Sequence, residues 1–90
     1  MRHDLKIQQC YLIHILEGRK NFEVRKNDRD FQSGDTIRWL PLEDEKYNAY
    51  DVVSPMPEYR INYVLSDFVG LQPNYVGLAI TPITNVLDKD

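Results

Sequence analysis

Gly18–Asp35, GRKNFEVRKNDRDFQSGD, is the stretch on which the reading of this chain turns. It begins with a glycine, a residue that accepts positive φ with little strain and so ends helices well. Just upstream, Tyr11, Leu12, Ile15 and Leu16 recur at helical spacing and predict one apolar stripe on a helix starting near Gln8. Arg19 and Lys20 then fall beyond the negative end of that helix, a favourable place for cations. In NFEVR the period becomes two, which predicts a strand. Phe22 and Val24 are expected to face the core, with Asn21, Glu23 and Arg25 on the opposite face. KNDRDFQSGD carries Asn27, Asp28, Ser33 and Gly34 and predicts a turn-rich connector. Arg29 and Asp30 are expected to lock that connector, with Phe31 as its apolar anchor.

Outward from this centre the chain alternates. HDLKI (3–7) predicts a first short strand. TIRWLPL predicts another, with Ile37 and Trp39 on one side and Thr36, Arg38 and Leu40 on the other. Pro41 cannot donate to a ladder, so this strand ends or lies at an edge there. EDEKYNAYDVVSPMP (43–57) is polar and reads as an extended hairpin or a flexible excursion. EYRINYVLSD sets Tyr59, Ile61, Tyr63 and Leu65 against Arg60, Asn62 and Val64. YVGLAITPI supplies a last strand centred on Leu78 and Ile80, and NVLDKD (85–90) is expected to fray. Residues 1–90 thus predict a single α+β domain: one N-terminal helix and about five to six short strands in a mixed sheet curled into a small β-barrel.

Ninety residues suffice for one modest core. No apolar run approaches the roughly 20 residues of a membrane span, and the N-terminus lacks the apolar stretch of a secretory signal. Cys10 is the one cysteine, and with His3 and His14 it supplies too few ligands for a structural zinc site. A cytoplasmic location is expected, with no membrane partner. The net charge of −3 is unevenly spread: residues 19–29 carry +3 and the remainder −6. An isolated positive patch on an acidic body suits a small anionic ligand better than a long duplex.

Same-face residues on a strand lie roughly 7 Å apart, so Glu23 and Arg25 can reach one ligand or each other. Lys20 stands at the entry to the same strand. Lysine and arginine hold phosphate or carboxylate, arginine bidentately, and a glutamate accepts hydrogen bonds from an exocyclic amine. The plainer reading is a solvated strand face with weak ion pairs.

Gly18-x-Lys20-x-x-Glu23-x-Arg25 resembles the G-x-K-x-x-E-x-R signature of ASCH domains, in the PUA-like superfamily. The continuation VRKNDRDFQSGD, and the opening HDLKI followed by a helix ending in GRK, resemble a bacterial and phage branch of small ASCH-like proteins. The likeness is close over residues 3–40 and looser to the final strand. It implies a PUA-like β-barrel with a helix near its mouth and a cleft for RNA or a nucleotide-like ligand. Lys20, Glu23 and Arg25 would line the cleft, Gly18 would shape the helix end, and Arg19 would lie beside them. One similar group is enzymatic and removes the acyl group of N4-acetylcytidine. It shares the lysine, but has a threonine nucleophile where this chain has Glu23. A carboxylate does not replace an activated hydroxyl in an acyl-enzyme route. Glu23 could act as a general base on water, with Lys20 beside it, although two flanking cations oppose that role.

Three functions therefore stand as expectations. The first is a non-enzymatic module binding RNA or a modified nucleotide through Lys20, Glu23 and Arg25. The second is a small amidohydrolase-type enzyme acting on a modified nucleoside, and the third is a protein-interaction module. No cofactor or metal is expected. The Asn27–Asp30 run lacks the ligand ladder of a calcium loop. His14 lies off the apolar stripe and is expected half-exposed; Cys10 is expected at the core or its boundary. Trp39 is assigned to the core. Tyr47, Tyr50 and Tyr75 are expected to be exposed, the first two on a loop able to cover a cleft.

Overall fold

Alternating segments become strands here because each can bury every second side chain on one side of a shared sheet. The computed structural model describes residues 1–83, so the fraying expected of 85–90 lies outside the described residues. In chain order the elements are β1 (Arg2–Ile7), α1 (Gln9–Leu16), β2 (Phe22–Lys26), β3 (Thr36–Pro41), a 3-10 turn (Ala49–Asp51), β4 (Glu58–Leu65) and β5 (Tyr75–Pro82). The strands form one mixed five-stranded sheet in the order β1-β3-β4-β5-β2, curled into a half-barrel. The β1–β3 pair is parallel and the others are antiparallel. The core comprises Leu5, Ile7, Ile37, Trp39, Tyr59, Ile61, Val76, Leu78 and Ile80 from the sheet, Leu12 and Ile15 from α1, Phe31 from a loop and Ala49 from the 3-10 turn.

β2 is turned over relative to the sequence expectation. Phe22 is 52% exposed and Val24 50%, whereas Glu23 is only 9% exposed and Arg25 half-buried. The register with β5 dictates this. Glu23 lies opposite Leu78 and Arg25 opposite Val76, both core residues, while Phe22 and Val24 lie opposite Ala79 and Gly77. Residues paired across a ladder share a face, so the hydrophobic commitment of β5 carries the charged residues of β2 inward. The strand with the weaker apolar claim takes the register of its neighbour.

β4 departs in the same way. Its alternation holds for Tyr59 and Ile61, then a bulge between Ile61 and Tyr63 inserts one extra residue. Tyr63 is thereby 61% exposed, and Val64 packs against the core instead. On α1 the buried face is Gln9, Leu12 and Ile15, and Tyr11, expected on the stripe, is exposed. His14 is exposed and Cys10 half-buried at the boundary. Gly18 ends the helix as expected, at φ +83°. Gly18 N–H donates to Ile15 O and Arg19 N–H to His14 O, both at 3.0 Å, which is a Schellman closure.

The 27–35 connector is a brace. Phe31 is buried, and its N–H donates to Asn27 Oδ1 at 2.9 Å. Gln32 Nε2 donates to Asp30 Oδ1 at 3.0 Å, and Ser33 Oγ to Asn62 O at 2.8 Å. Arg29 is exposed, so the locking falls to Asn27 and Gln32 beside Asp30. The 43–57 segment is neither a hairpin nor free of structure. Gln9 holds it, accepting from Ala49 N–H at 2.6 Å through Oε1 and donating to Leu42 O at 2.8 Å through Nε2. Gln9→Leu leaves buried backbone groups unpaired and is expected to cost about 1–3 kcal/mol. Urea unfolding and proteolysis within 43–57 check this; an unchanged midpoint and an uncut loop would refute the clamp.

A second polar contact escaped the sequence reading. His3, 3% exposed, lies with Nε2 2.8 Å from Asp35 Oδ2, and its ring meets Phe31 edge-on. The His3 contact holds the Asp35 carboxyl below its ordinary range; burial opposes this, and the Gln32 N–H and the terminal ammonium add to the lowering. A carboxyl depressed in the folded state adds stability above its unfolded value, about pH 4, and loses it as pH falls through the folded one. Urea midpoints are therefore expected to fall between about pH 5 and about pH 2, with a shallower fall in Asp35→Asn. Equal pH slopes would remove Asp35 from the account.

Candidate functional site

The Schellman turn at Gly18 points the chain back along the helix end, and this sets Lys20 at the mouth of the half-barrel. From there β2 places Glu23 and Arg25 on the concave side. The three meet. Glu23 Oε1 accepts from Lys20 Nζ, and Glu23 Oε2 accepts from Arg25 Nε at 3.2 Å. Lys20 Nζ also donates to Phe22 O at 2.8 Å. Arg25 Nη2 donates to Lys6 O at 2.7 Å, so one side chain spans the unpaired seam between the sheet edges β2 and β1. Arg25 lies 5.9 Å from the centre of the Trp39 ring.

The triad carries a net positive charge and is partly withdrawn from water, with all three side chains less than a quarter exposed. Rings flank it: Lys20 Nζ is 4.9 Å from the Phe22 ring and 5.9 Å from that of Tyr11. Lys20 and Gly18 also border a cavity of about 280 Å³, whose walls include Leu16, Val53, Pro57, Tyr59 and Ile80. Burial pushes the Tyr59 phenol up, and its hydroxyl donates to Ile15 O at 3.4 Å. Behind the triad, Trp39 Nε1 is buried and has no hydrogen-bond partner among the described residues.

Of the residues singled out by the sequence, Gly18, Lys20, Glu23 and Arg25 come together. Arg19 does not join them; it is exposed, paired with Glu17, and its Nη2 lies 2.8 Å from His14 Nδ1. Tyr47 and Tyr50 are exposed on their loop, but Val53 and Pro57 of that segment are what line the cavity. Tyr75 is half-buried, and Tyr63 is the most exposed of the tyrosines. Tyr11 of the expected apolar stripe, Trp39 of the expected core and Tyr59 of β4 also lie around the site. No spacing rule marks them, because their proximity to Lys20 and Arg25 arises from the curl of the sheet. Among the described residues no three His, Cys, Asp or Glu side chains cluster as metal ligands, and no helix is long and apolar enough to cross a membrane.

Fold and site together define a class: small α+β half-barrel proteins with one helix at the mouth and an ion triad on the inner wall. The chain matches, over residues 2–80, the model of a family described as a domain of unknown function (DUF3850), and it belongs to that family. It is also similar to an uncharacterized 12.9 kDa protein in the GpA 3′ region of Escherichia phage P2, with 43% identity over 35 residues, 39% of this chain. The match covers 32% of the phage protein's length.

Proposed function

We infer that this protein is a non-enzymatic binding module for a base-sized, nucleotide-like ligand, such as one nucleoside of an RNA strand. The observation that carries the reading is the ion-paired set of Lys20, Glu23 and Arg25 on the concave wall, of which Lys20 also borders a cavity of about 280 Å³. Ion pairs withdrawn from water contribute no more stability than apolar residues of the same volume would. The register with β5 accounts for which side of β2 faces inward, but folding alone does not call for charged residues there, and a ligand supplies a reason for them.

The chemistry fits such a ligand. Glu23 can accept from an exocyclic amine, Lys20 and Arg25 can meet an oxyanion or carbonyl, and half-exposed Tyr11 offers a face for stacking. The cavity is just below the roughly 300–1,000 Å³ of drug-sized pockets, which suits one base rather than an oligonucleotide. An ASCH-type relation, which the Gly18-to-Arg25 pattern suggests, accords with a half-barrel and helix and would make the architecture PUA-like. Hydrolysis has weaker support: both Glu23 oxygens are held by cations, and among the described residues no hydroxyl or thiol bonds to it.

Titration of the full chain with nucleosides, nucleoside monophosphates and short single-stranded RNA tests this, read by the fluorescence of the one tryptophan, Trp39. Binding is expected to change little between about 50 and about 200 mM salt, because few phosphates are neutralised. Lys20→Ala leaves a neutral Glu23–Arg25 pair, so it is expected to weaken binding at least about tenfold while the thermal midpoint hardly moves. Unchanged binding in Lys20→Ala, or no saturation by any of these ligands, would sink the reading.

A further inference from the structure

Residues 43–57 join β3 to β4 and form one wall of the cavity beside Lys20, through Val53 and Pro57. The other walls belong to α1, the turn that ends it, β4 and β5, which are fixed by helix and ladder hydrogen bonds. The connection is held differently. Apart from one 3-10 turn it runs irregularly from Pro41 to Glu58. That exceeds the roughly 12–15 residues beyond which loops in compact domains are uncommon and usually serve as lids or binding loops.

Both ends are tied to the sheet: Leu42 N–H donates to Ile7 O at 2.9 Å, and Ile83 N–H to Glu58 O at 2.8 Å. Between these anchors the segment bonds to itself. Asp44 Oδ1 accepts from Lys46 N–H at 2.7 Å, and Asn48 O and Ala49 O accept from Asp51 and Val52 N–H. Among the described residues, its one hydrogen bond to the rest of the molecule runs from Ala49 N–H to Gln9 Oε1, while Gln9 Nε2 holds Leu42 O. Ala49 is also its one fully buried residue, contributing a single methyl group. Met56 packs against the core, whereas Tyr47, Tyr50 and Val52 are exposed. Releasing Gln9 therefore uncovers one small side chain, and water satisfies the freed polar groups. Segments with so few buried apolar contacts open well short of global unfolding.

We propose that residues 43–55 are a lid, pivoting at Leu42 and Met56 and latched by Gln9, whose opening carries Val53 off the cavity and admits the ligand beside Lys20. Admission of the ligand rests on the binding reading above, whereas lid and latch stand without it.

Thiol labelling of the full chain tests the lid with no ligand present, so its failure is separate from a failure to bind nucleosides. In a Cys10→Ser background, Ile80→Cys and Ile15→Cys each place one thiol on a buried wall of the cavity, and Ile37→Cys places one in the core away from it. Two cavity reporters keep the test decisive where one variant fails to fold by circular dichroism. Iodoacetamide at constant pH is expected to modify the cavity thiols at least about tenfold faster than the Ile37→Cys thiol. Their rates should depend little on urea below the unfolding transition, because lid opening exposes little surface. Gln9→Leu removes both latch bonds and is expected to speed the cavity thiols at least about tenfold further. Cavity thiols as slow and as urea-sensitive as the Ile37→Cys thiol would overturn the proposal, since that wall then opens only by global unfolding. So would an unchanged rate in Gln9→Leu, since the cavity is then open already or closed by something other than Gln9.

Discussion

Glu23→Ala is expected to destabilise the protein by about 2–4 kcal/mol, far more than a strand-surface glutamate would. The carboxylate joins Lys20 and Arg25, and without it two cations less than a quarter exposed face each other across the vacated space. Breaking a fully buried pair costs about 3–5 kcal/mol, and partial access to water reduces that. Replacing the whole triad, as Lys20→Met, Glu23→Leu and Arg25→Met together, removes the uncompensated charge and is expected to leave stability unchanged or higher. If the proposed binding reading holds, both variants are expected to lose binding of the nucleosides that wild type takes. Urea unfolding followed by Trp39 fluorescence checks the contrast. If Glu23→Ala cost less than about 0.5 kcal/mol, the three residues would be an ordinary solvated set of ion pairs.

Trp39 supplies the second large effect. It is 1% exposed and packs between Arg25 and the Tyr59 ring, 6.2 Å away. Trp39→Ala opens a large cavity behind the triad and is expected to cost about 3–5 kcal/mol. Trp39→Phe removes far less volume and also removes the buried Nε1–H that has no acceptor. Relief of that donor offsets much of the lost packing, so the phenylalanine variant is expected within about 1 kcal/mol of wild type. Circular dichroism in urea follows both variants, since the fluorophore is gone. A phenylalanine variant as unstable as the alanine one would show that Nε1 is satisfied in solution.

Several features were legible in the sequence because they depend on neighbours along the chain. The helix end at Gly18 is one, since a Schellman closure needs only consecutive residues and a glycine at the left-handed position. The inward Ile37 and Trp39 of β3 are another, because no other residues of that strand compete for the core side. The Gly18-x-Lys20-x-x-Glu23-x-Arg25 pattern also named three charged residues, Lys20, Glu23 and Arg25, that the fold joins as ion pairs.

The rest was hidden because it is decided across the sheet. In NFEVR the apolar residues were expected inside, yet β2 is paired on one edge only, and Val76, Leu78 and Ile80 of β5 hold the core side. A strand of two apolar and three charged residues does not outweigh such a neighbour, and its charges are tolerated because they neutralise one another. The bulge after Ile61 adds one residue to β4 and breaks the alternation that set Tyr63 on one side with Tyr59 and Ile61. His3–Asp35 and Gln9–Ala49 join residues 32 and 40 positions apart, beyond any local rule.

By itself, then, the sequence determined where the helix stops, which segments are strands and which charged residues stand near one another, since these follow from spacing and local backbone preference. Only the tertiary structure decided which side of β2 is inside. That side is set by the register with β5, where burying three aliphatic residues outweighs the preference of Phe22 and Val24. The same register converts an outwardly charged strand into a concave ion triad, and leaves its apolar side bare on the outer face.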